Sequence, residues 1–392
     1  MTRSDHRMYD VAVVGGGAAG ASAALKLAEA GATVVLLEKE TLPRYKVCGG
    51  GVVHKARALL NIDISGVVER EFYAATITLL GNDLSFVARR DRPLISMTMR
   101  AQLDHLLVSA AEQAGAQIKP GTKVHSVSLR KTHVGLETTA GLVEAKVAIA
   151  ADGVNSVLAK QAGWQESRLL VPAIESELYV SDKEMDRHAR TARFDFDIPP
   201  HGYAWLFPKA DHLSVGVLSV RRGHVRLKRV LAQYLSALGI KEVEREERHG
   251  FVIPISPRRD GFARNRVILV GDAAGFADPV TAEGISFAIR SGQLAAAALI
   301  QEAFEWPRSS TTYEDLIKQH ITPELSAAHL LAKVLYVYPR VRTWTFRRYG
   351  GKITDAVTDI FMGASTYHGA ISNPMNYLKL LKFGRRGRMN DD

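Results

Sequence analysis

The stretch Tyr9-Asp10-Val11-Ala12-Val13-Val14-Gly15-Gly16-Gly17-Ala18-Ala19-Gly20 decides the fold. An apolar run of strand type leads straight into a glycine-rich turn. The run Ala21 to Ala30 carries helix formers, Gly31 stops it, and Thr33 to Leu37 is a second β-branched run closing on Glu38. Strand, glycine turn, helix, strand and terminal acid stand in the order a dinucleotide site requires. Gly15 permits the tight turn, Gly17 lets backbone approach a pyrophosphate, and Gly20 lets helix and strand pack closely. The helix N-terminus then offers free N–H groups and the positive end of its dipole. Glu38 falls about twenty residues past the turn, where an acid accepts hydrogen bonds from a ribose.

Around this unit, 392 residues give room for two or three domains, and 46% hydrophobic with 23% charged residues suits a globular chain. The single cysteine, Cys48, excludes an intramolecular disulfide framework and a cysteine-rich metal site, and suits a reducing cytoplasm. Met1 to Met8 is polar, without the apolar core of a signal peptide. No uncharged apolar run reaches bilayer-spanning length; the longest candidate, Ile285 to Ile300, contains Arg290. The expected location is the cytoplasm, with peripheral attachment at the inner membrane face left open. The net charge of +10 is scattered apart from Arg221-Arg222, Arg347-Arg348 and Lys379 to Arg388. No zinc-finger or RNA-platform signature accompanies these cations, so no nucleic acid is expected. A basic face toward anionic lipid or a diphosphate fits better than base reading, beside the plain alternative of a solvated surface.

Further along, Pro43 to Gly51 is a glycine-rich loop, and Val52 to Leu60 reads as helical. Thr76 to Leu80 and Asp83 to Val87 read as strands around the hairpin signal Gly81-Asn82. A helix runs from Met99 through Gln113 to Gly115, and strands follow at Lys123 to Leu129, His133 to Thr138 and Val143 to Ala150. From Leu169 to Val220 short strands alternate with Pro and Gly, which predicts a mostly antiparallel sheet inserted into the first domain. Val225 to Leu238 reads as a helix. Arg266 to Val270 returns to strand and runs into Gly271-Asp272, with a long helix from Gly284 to Ala303. Trp306 to Asp392 reads as helical.

Three stretches join the opening turn. Arg100 and Asp104 open a helix, placing a cation where a second pyrophosphate contact falls; a surface ion pair is the alternative. Asp152-Gly153 follows a buried strand, and Gly271-Asp272 with Pro279 to Gly284 follows another. The order of these four stretches is that of flavoproteins of the p-hydroxybenzoate hydroxylase fold. Within that fold the chain resembles the geranylgeranyl reductase family, which includes chlorophyll-side-chain and archaeal-lipid reductases. The resemblance rests on Arg44 to Gly51, on Gly202-Tyr203-Ala204-Trp205-Leu206-Phe207-Pro208-Lys209 and on Gly271 to Gly284, and covers roughly the first three hundred residues. Ala18 stands where that family usually has Pro, and Ala282 where it usually has Gly.

The resemblance implies an α/β chain: a Rossmann-like FAD-binding domain of residues 1–75, 96–168 and 263–305, with an inserted antiparallel-sheet substrate domain of 76–95 and 169–262. A C-terminal helical region of 306–392 completes it. It implies non-covalent FAD, reduced by NAD(P)H or another carrier, and hydride transfer to a carbon–carbon double bond of a prenylated small molecule or lipid. FAD contacts are expected at Gly15, Gly17, Ala19 and Gly20, at Glu38, Lys39 and Arg44, and at Cys48, Gly49 and Gly50. Further contacts are expected at Arg100, Val124, Asp152 and Gly153, and at Gly271, Asp272, Gly284 and Ile285. The helix from Gly284 would face the pyrimidine edge of the flavin.

Cys48 is the candidate catalytic group, as an acid or as a residue that tunes or shields the ring; an inert buried thiol is the alternative. Tyr203 and Trp205 are the other catalytic candidates. With Gly50, Phe207 and Pro279 they are expected to wall the substrate cavity, unless the aromatics are ordinary core. A class A flavin monooxygenase acting on an aromatic or lipophilic substrate is the competing enzyme. Between Leu330 and Arg348, aromatics interleave with cations, which suits either a membrane interface or core rings beside solvated charges.

Overall fold

The computed structural model describes residues 8–221 and 225–372, so the basic run Lys379 to Arg388 and most of the polar N-terminus lie outside the described residues. One sheet gathers β1 (Tyr9–Val14), β2 (Val34–Leu37), β8 (Gln117–Lys119), β9 (Val124–Leu129), β10 (Val134–Thr138), β11 (Gly141–Ala150), β17 (Ala263–Arg264) and β18 (Val267–Leu269). Its path is β17-β18-β11-β1-β2-β8, parallel from β18 to β8, while β10 and β9 fold back antiparallel on β11. Val11 sits between Val34 and Val147 in this register. Val11, Ala12 and Val13 are fully buried, which is why β1 is continuously apolar rather than alternating.

Against this sheet lie α1 (Ala18–Glu29), α3 (Arg100–Gln113) and α8 (Ile285–Gln301), with both α3 and α8 packed on α1. The close crossing of α1 and β1 needs Gly20, where a Cβ would fall 2.0 Å from the Gly15 carbonyl oxygen. The expected Rossmann-like α/β unit is therefore present.

A second sheet gathers β5 (Ala74–Leu79), β6 (Leu84–Arg89), β12 (Leu170–Tyr179), β13 (Ala192–Phe196), β14 (Gly202–Pro208), β15 (Leu213–Ser219) and β16 (Arg245–Pro254). Its order is β16-β12-β15-β14-β13-β5-β6, and all neighbours are antiparallel except β13 with β5. That parallel pair arises where two distant segments of chain meet edge to edge. A small third sheet, β3 (Gly51–Val53), β7 (Ile95–Thr98) and β4 (Val68–Phe72), adjoins them.

The remaining helices are α2 (His54–Ala58), α4 (Val157–Gln161), α5 (Asp182–His188), α6 (Leu227–Leu238), α7 (Gly271–Ala274), α9 (Arg308–His320), α10 (Thr322–Val337), α11 (Pro339–Met362) and α12 (Tyr367–Ser372). The last four make up the C-terminal helical region, and α10 and α11 cover one face of the second sheet through a shared apolar core.

Two local expectations are corrected. Val52 and Val53 are strand rather than helix, because they pair with Ser96 and Ile95 of β7; the helix begins only at His54. The β5–β6 connection is a short 3₁₀ turn, Leu80–Asn82, closed by Asp83 at φ 53°, rather than a two-residue Gly81-Asn82 turn. No helix among the described residues is long and apolar enough to cross a membrane.

Candidate active site

A cleft of about 1260 Å³, counting its open mouth, lies where α1, the 43–51 loop, β14 and the 277–285 segment meet. Its floor is the glycine turn. Gly17 is the N-cap of α1, no side chain caps it, and the first turn of the helix contains no acid. The first N–H groups of α1 are thus left for a ligand. Around them stand three cations: from the position a Cβ on Gly17 would take, Arg100 Nη2 is 3.8 Å away, Arg44 Nη2 3.9 Å and Lys46 Nζ 4.0 Å.

These cations are held differently. Arg100 binds the fully buried Asp104 through Nε and Nη2 at 2.8–3.0 Å. Arg44 Nη1 donates to Asp104 Oδ2 at 3.0 Å, an oxygen that Arg100 Nη2 also reaches, and Arg44 Nε lies 3.4 Å from Glu38. Arg100 and Asp104 are therefore a buried pair, not the surface ion pair that their sequence also allowed. Burial opposes the charge on Arg100, but Asp104 and then Cys48 beside it outweigh burial and hold the guanidinium pKa above its usual value. Lys46 makes no ion pair with a described acid, and the Arg100 guanidinium, followed by burial, pushes its pKa down. An uncapped helix end with surplus positive charge fits a pyrophosphate, so the residues present suit the diphosphate of FAD.

Opposite the turn runs the Cys48–Gly51 loop. Gly50 holds φ +72°, and a Cβ there would strike the Thr98 carbonyl at 2.0 Å, so glycine is required. Cys48 Sγ accepts the Gly50 N–H at 3.4 Å. Across from the loop, β14 projects Tyr203, Trp205 and Phe207 to one face, with ring centroids 6.1 Å and 6.5 Å apart in succession. A Cβ on Gly49 would lie 3.0 Å from the Phe207 ring and 3.5 Å from Trp205 Nε1. That indole N–H is buried and has no hydrogen-bond partner among the described residues.

The third wall is the segment before α8. Asp278 is buried and accepts from Val280 N, Thr281 Oγ1 and Tyr367 Oη. Tyr203 donates to the Thr281 carbonyl and Tyr336 to the Val280 carbonyl. These bonds hold Ala282 at φ +56°, a left-handed backbone that costs an alanine of order 1 kcal/mol. Glu283, just before the Gly284 N-cap of α8, accepts from Ser286 N at 2.7 Å; burial pushes its carboxyl pKa up.

Most expected residues converge on the cleft. Gly17, Ala19, Cys48, Gly49, Gly50 and Arg100 line it, with Gly153, Gly271, Asp272, Gly284 and Ile285. So do Tyr203, Trp205 and Phe207. Gly15 and Gly20 lie beneath the turn and act through packing. Glu38 accepts from Gly16 N at 2.8 Å through Oε2 and from Glu40 N at 3.0 Å through Oε1, and bears on Arg44, so it braces the turn and keeps acceptor capacity on Oε1.

Four expected residues stand elsewhere. The Lys39 side chain is exposed and pairs with Glu40 at 3.6 Å, pointing to water. Val124 is a core residue of β9 outside the cleft wall. Asp152 uses Oδ2 to cap α4 through Val157 N and Leu158 N, although its buried Oδ1 has no described partner. Pro279 is buried beneath the loop and lines neither the cleft nor the cavity next to it.

Sequence reading missed Lys46, which sits two residues after Arg44 and so returns to the same side of an extended loop. It also missed Phe194, whose ring meets Phe207 edge-on at 5.2 Å, and Phe361 of α11, for which the local sequence carries no signal.

An FAD-binding-domain family model matches residues 8–171, and a tryptophan halogenase model matches residues 98–326. The chain is 30% identical over 318 residues to the chloroplastic geranylgeranyl diphosphate reductase of Oryza sativa, covering 75% of this chain and 67% of that protein. It is 28% identical over 349 residues to the menaquinone reductase of Mycolicibacterium smegmatis, covering 83% and 84%. Among solved structures, a geranylgeranyl bacteriochlorophyll reductase-like protein of Thermoplasma acidophilum superposes with a TM-score of 0.78 at 23% identity, over 96% of this chain and 98% of that one.

Proposed function

Because the chain belongs to the geranylgeranyl reductase family of FAD-dependent oxidoreductases, we propose that it saturates carbon–carbon double bonds of a prenyl chain of geranylgeranyl type. That chain is carried on a lipid, quinone, pigment or diphosphate. Bound FAD would supply the hydride, and NAD(P)H or another reduced carrier would recharge it.

The observation that carries the reading is the slot between the Cys48–Gly51 loop and the Tyr203–Trp205–Phe207 face. An isolated alkene is not electrophilic, so its reduction needs an oriented, water-poor pocket and a proton for the second carbon. The three rings with Phe194 supply apolar walls, and the Cys48 loop brings a thiol to the same space. Cys48 Sγ, held by the Gly50 N–H, is the atom proposed to hold that proton. Burial, then Asp278 and Cys48, raise the Tyr203 pKa, and its hydroxyl is already spent on Thr281. Tyr203 is thus assigned to positioning rather than proton transfer. The cation cradle anchors FAD by its diphosphate, and the uncapped end of α1 orients it.

The tryptophan halogenase match over residues 98–326 favours a second reading, an oxygen-using flavin monooxygenase of the same fold. Anaerobic turnover separates the two. Reduced enzyme given geranylgeranyl diphosphate without oxygen should return oxidised flavin and a product richer in hydrogen. Product formed only with oxygen, in step with its consumption, would support the second reading.

A further inference from the structure

Helices α10 and α11 are apolar on two faces, and only one is used inside the protein. Their inner residues Leu331, Leu335, Phe346, Ile353 and Val357 line an apolar hollow of about 570 Å³, counting its open mouth, that shares Tyr203, Phe194 and Phe361 with the main cleft. On the outside stand Leu330, Val337, Tyr338, Val341 and Trp344, between 47% and 64% exposed. Leu330 and Val337 are seven residues apart in α10, and Val341 and Trp344 three apart in α11, so each pair shares a helix face. Tyr338 is the single residue joining the two helices, so the two pairs flank that connection along the chain. A globular surface has no packing reason to expose five large apolar side chains within fifteen residues of two consecutive helices.

The charges that this stretch of the two helices itself carries have one sign. Between Glu324 and Asp355 the sequence contains no acid, and Lys333, Arg340, Arg347 and Arg348 are exposed there. We infer that this outer face of α10 and α11 docks on the surface of an anionic lipid bilayer. Trp344 and Tyr338 sit at headgroup depth, the aliphatic residues sit just beneath, and the cations meet lipid phosphate.

The same features disfavour other occupants. A second copy seated on this face by a twofold axis would bring cation against cation. A nucleic acid would gain nothing from Leu330, Val337 and Val341. The docking stands apart from the prenyl reading above, because it requires no particular reaction.

The test is sedimentation of the full-length, FAD-loaded protein with vesicles of phosphatidylcholine alone or mixed with phosphatidylglycerol. Binding is expected to the mixed vesicles, weakened by added salt, and absent from phosphatidylcholine alone. The combined exposed-site variant Val341→Ser, Trp344→Ser, Arg340→Glu should lose about tenfold or more of that partition while keeping its flavin spectrum and thermal midpoint. Failure of the wild type to bind the mixed vesicles, or wild-type partition in the variant, overturns the docking. So does loss of binding on removing Lys379 to Asp392 with full binding in the variant. A concentration-dependent dimer abolished by the variant, without vesicle binding, assigns the face to a second copy instead.

Discussion

Trp205 lies flat across Gly216: the two residues are paired on neighbouring antiparallel strands, and a Cβ on Gly216 would fall 2.1 Å from the indole Cζ2. The absence of a side chain on β15 is what lets the indole of β14 lie down and turn its N–H toward the Cys48–Gly50 loop. Replacing Gly216 by Val should lift the indole, at an overpacking cost of about 1–3 kcal/mol. The expected result is bound flavin with its normal spectrum and prenyl reduction reduced at least about tenfold. Steady-state turnover beside flavin absorbance checks it, and unimpaired turnover would remove Trp205 from the slot.

Lys46 is a cation that the folded apoprotein tolerates rather than welcomes. Its pKa is depressed by Arg100 and by burial, so an unfolded chain holds a proton there that the native chain has released. Between the depressed value and the free-lysine value of about 10.4, apoprotein stability should rise with pH. Lys46→Met should lack this rise and be the more stable apoprotein below that window. With FAD the ranking should invert, since the variant loses a partner of the diphosphate and about tenfold in affinity. Thermal unfolding against pH, with and without FAD, reads both effects.

Asp104 serves two arginines at once from a fully buried position. Asp104→Asn should destabilise the apoprotein by about 3–5 kcal/mol, because buried positive charge loses its counter-ion. Pyrophosphate or FAD should recover part of that loss, a rescue that a purely structural aspartate would not show. Denaturant midpoints with and without added pyrophosphate measure it.

Tyr367 reaches from α12 to Asp278 at 2.8 Å and so connects the C-terminal helices to the loop before α8. Tyr367→Phe removes one of three bonds to a buried carboxylate, with a cost of about 1–3 kcal/mol concentrated in that loop. We expect kcat to fall while FAD affinity holds, because the diphosphate cradle lies on the other side of the cleft. Ala282→Gly in the same background should restore part of kcat by relieving the left-handed backbone at that position.

The parts of this molecule legible in its sequence are those written in local chemistry. Tyr9 to Glu38 specifies a parallel strand, an uncapped helix and a second strand with no help from elsewhere, and the alternation of Tyr203, Trp205 and Phe207 places three rings on one face. The 245–254 strand was not legible because it is an edge: Arg245, Glu246, Glu247 and Arg248 are the charges that protect an open edge, and they hide the strand pattern. Gly216 was unreadable for another reason, since its meaning depends on which residue lies across the sheet. The direction of the Lys39 side chain was not legible either: the carboxylate of Glu38 turns inward to Gly16, so the next side chain turns out. Phe361 and Tyr367 reach the site from more than seventy residues beyond the flavin-like motifs, through helix packing that no local pattern announces.

The proposed reaction places reduction of a prenyl alkene in the slot beside the Cys48 loop. Its most direct test is to reduce the FAD-loaded enzyme without oxygen, add geranylgeranyl diphosphate, and follow flavin absorbance and product mass together. Flavin should reoxidise in step with a product heavier by two hydrogens for each bond saturated, and more slowly in Cys48→Ala. Flavin that stays reduced until oxygen is admitted, with the prenyl chain unchanged in mass, would contradict it.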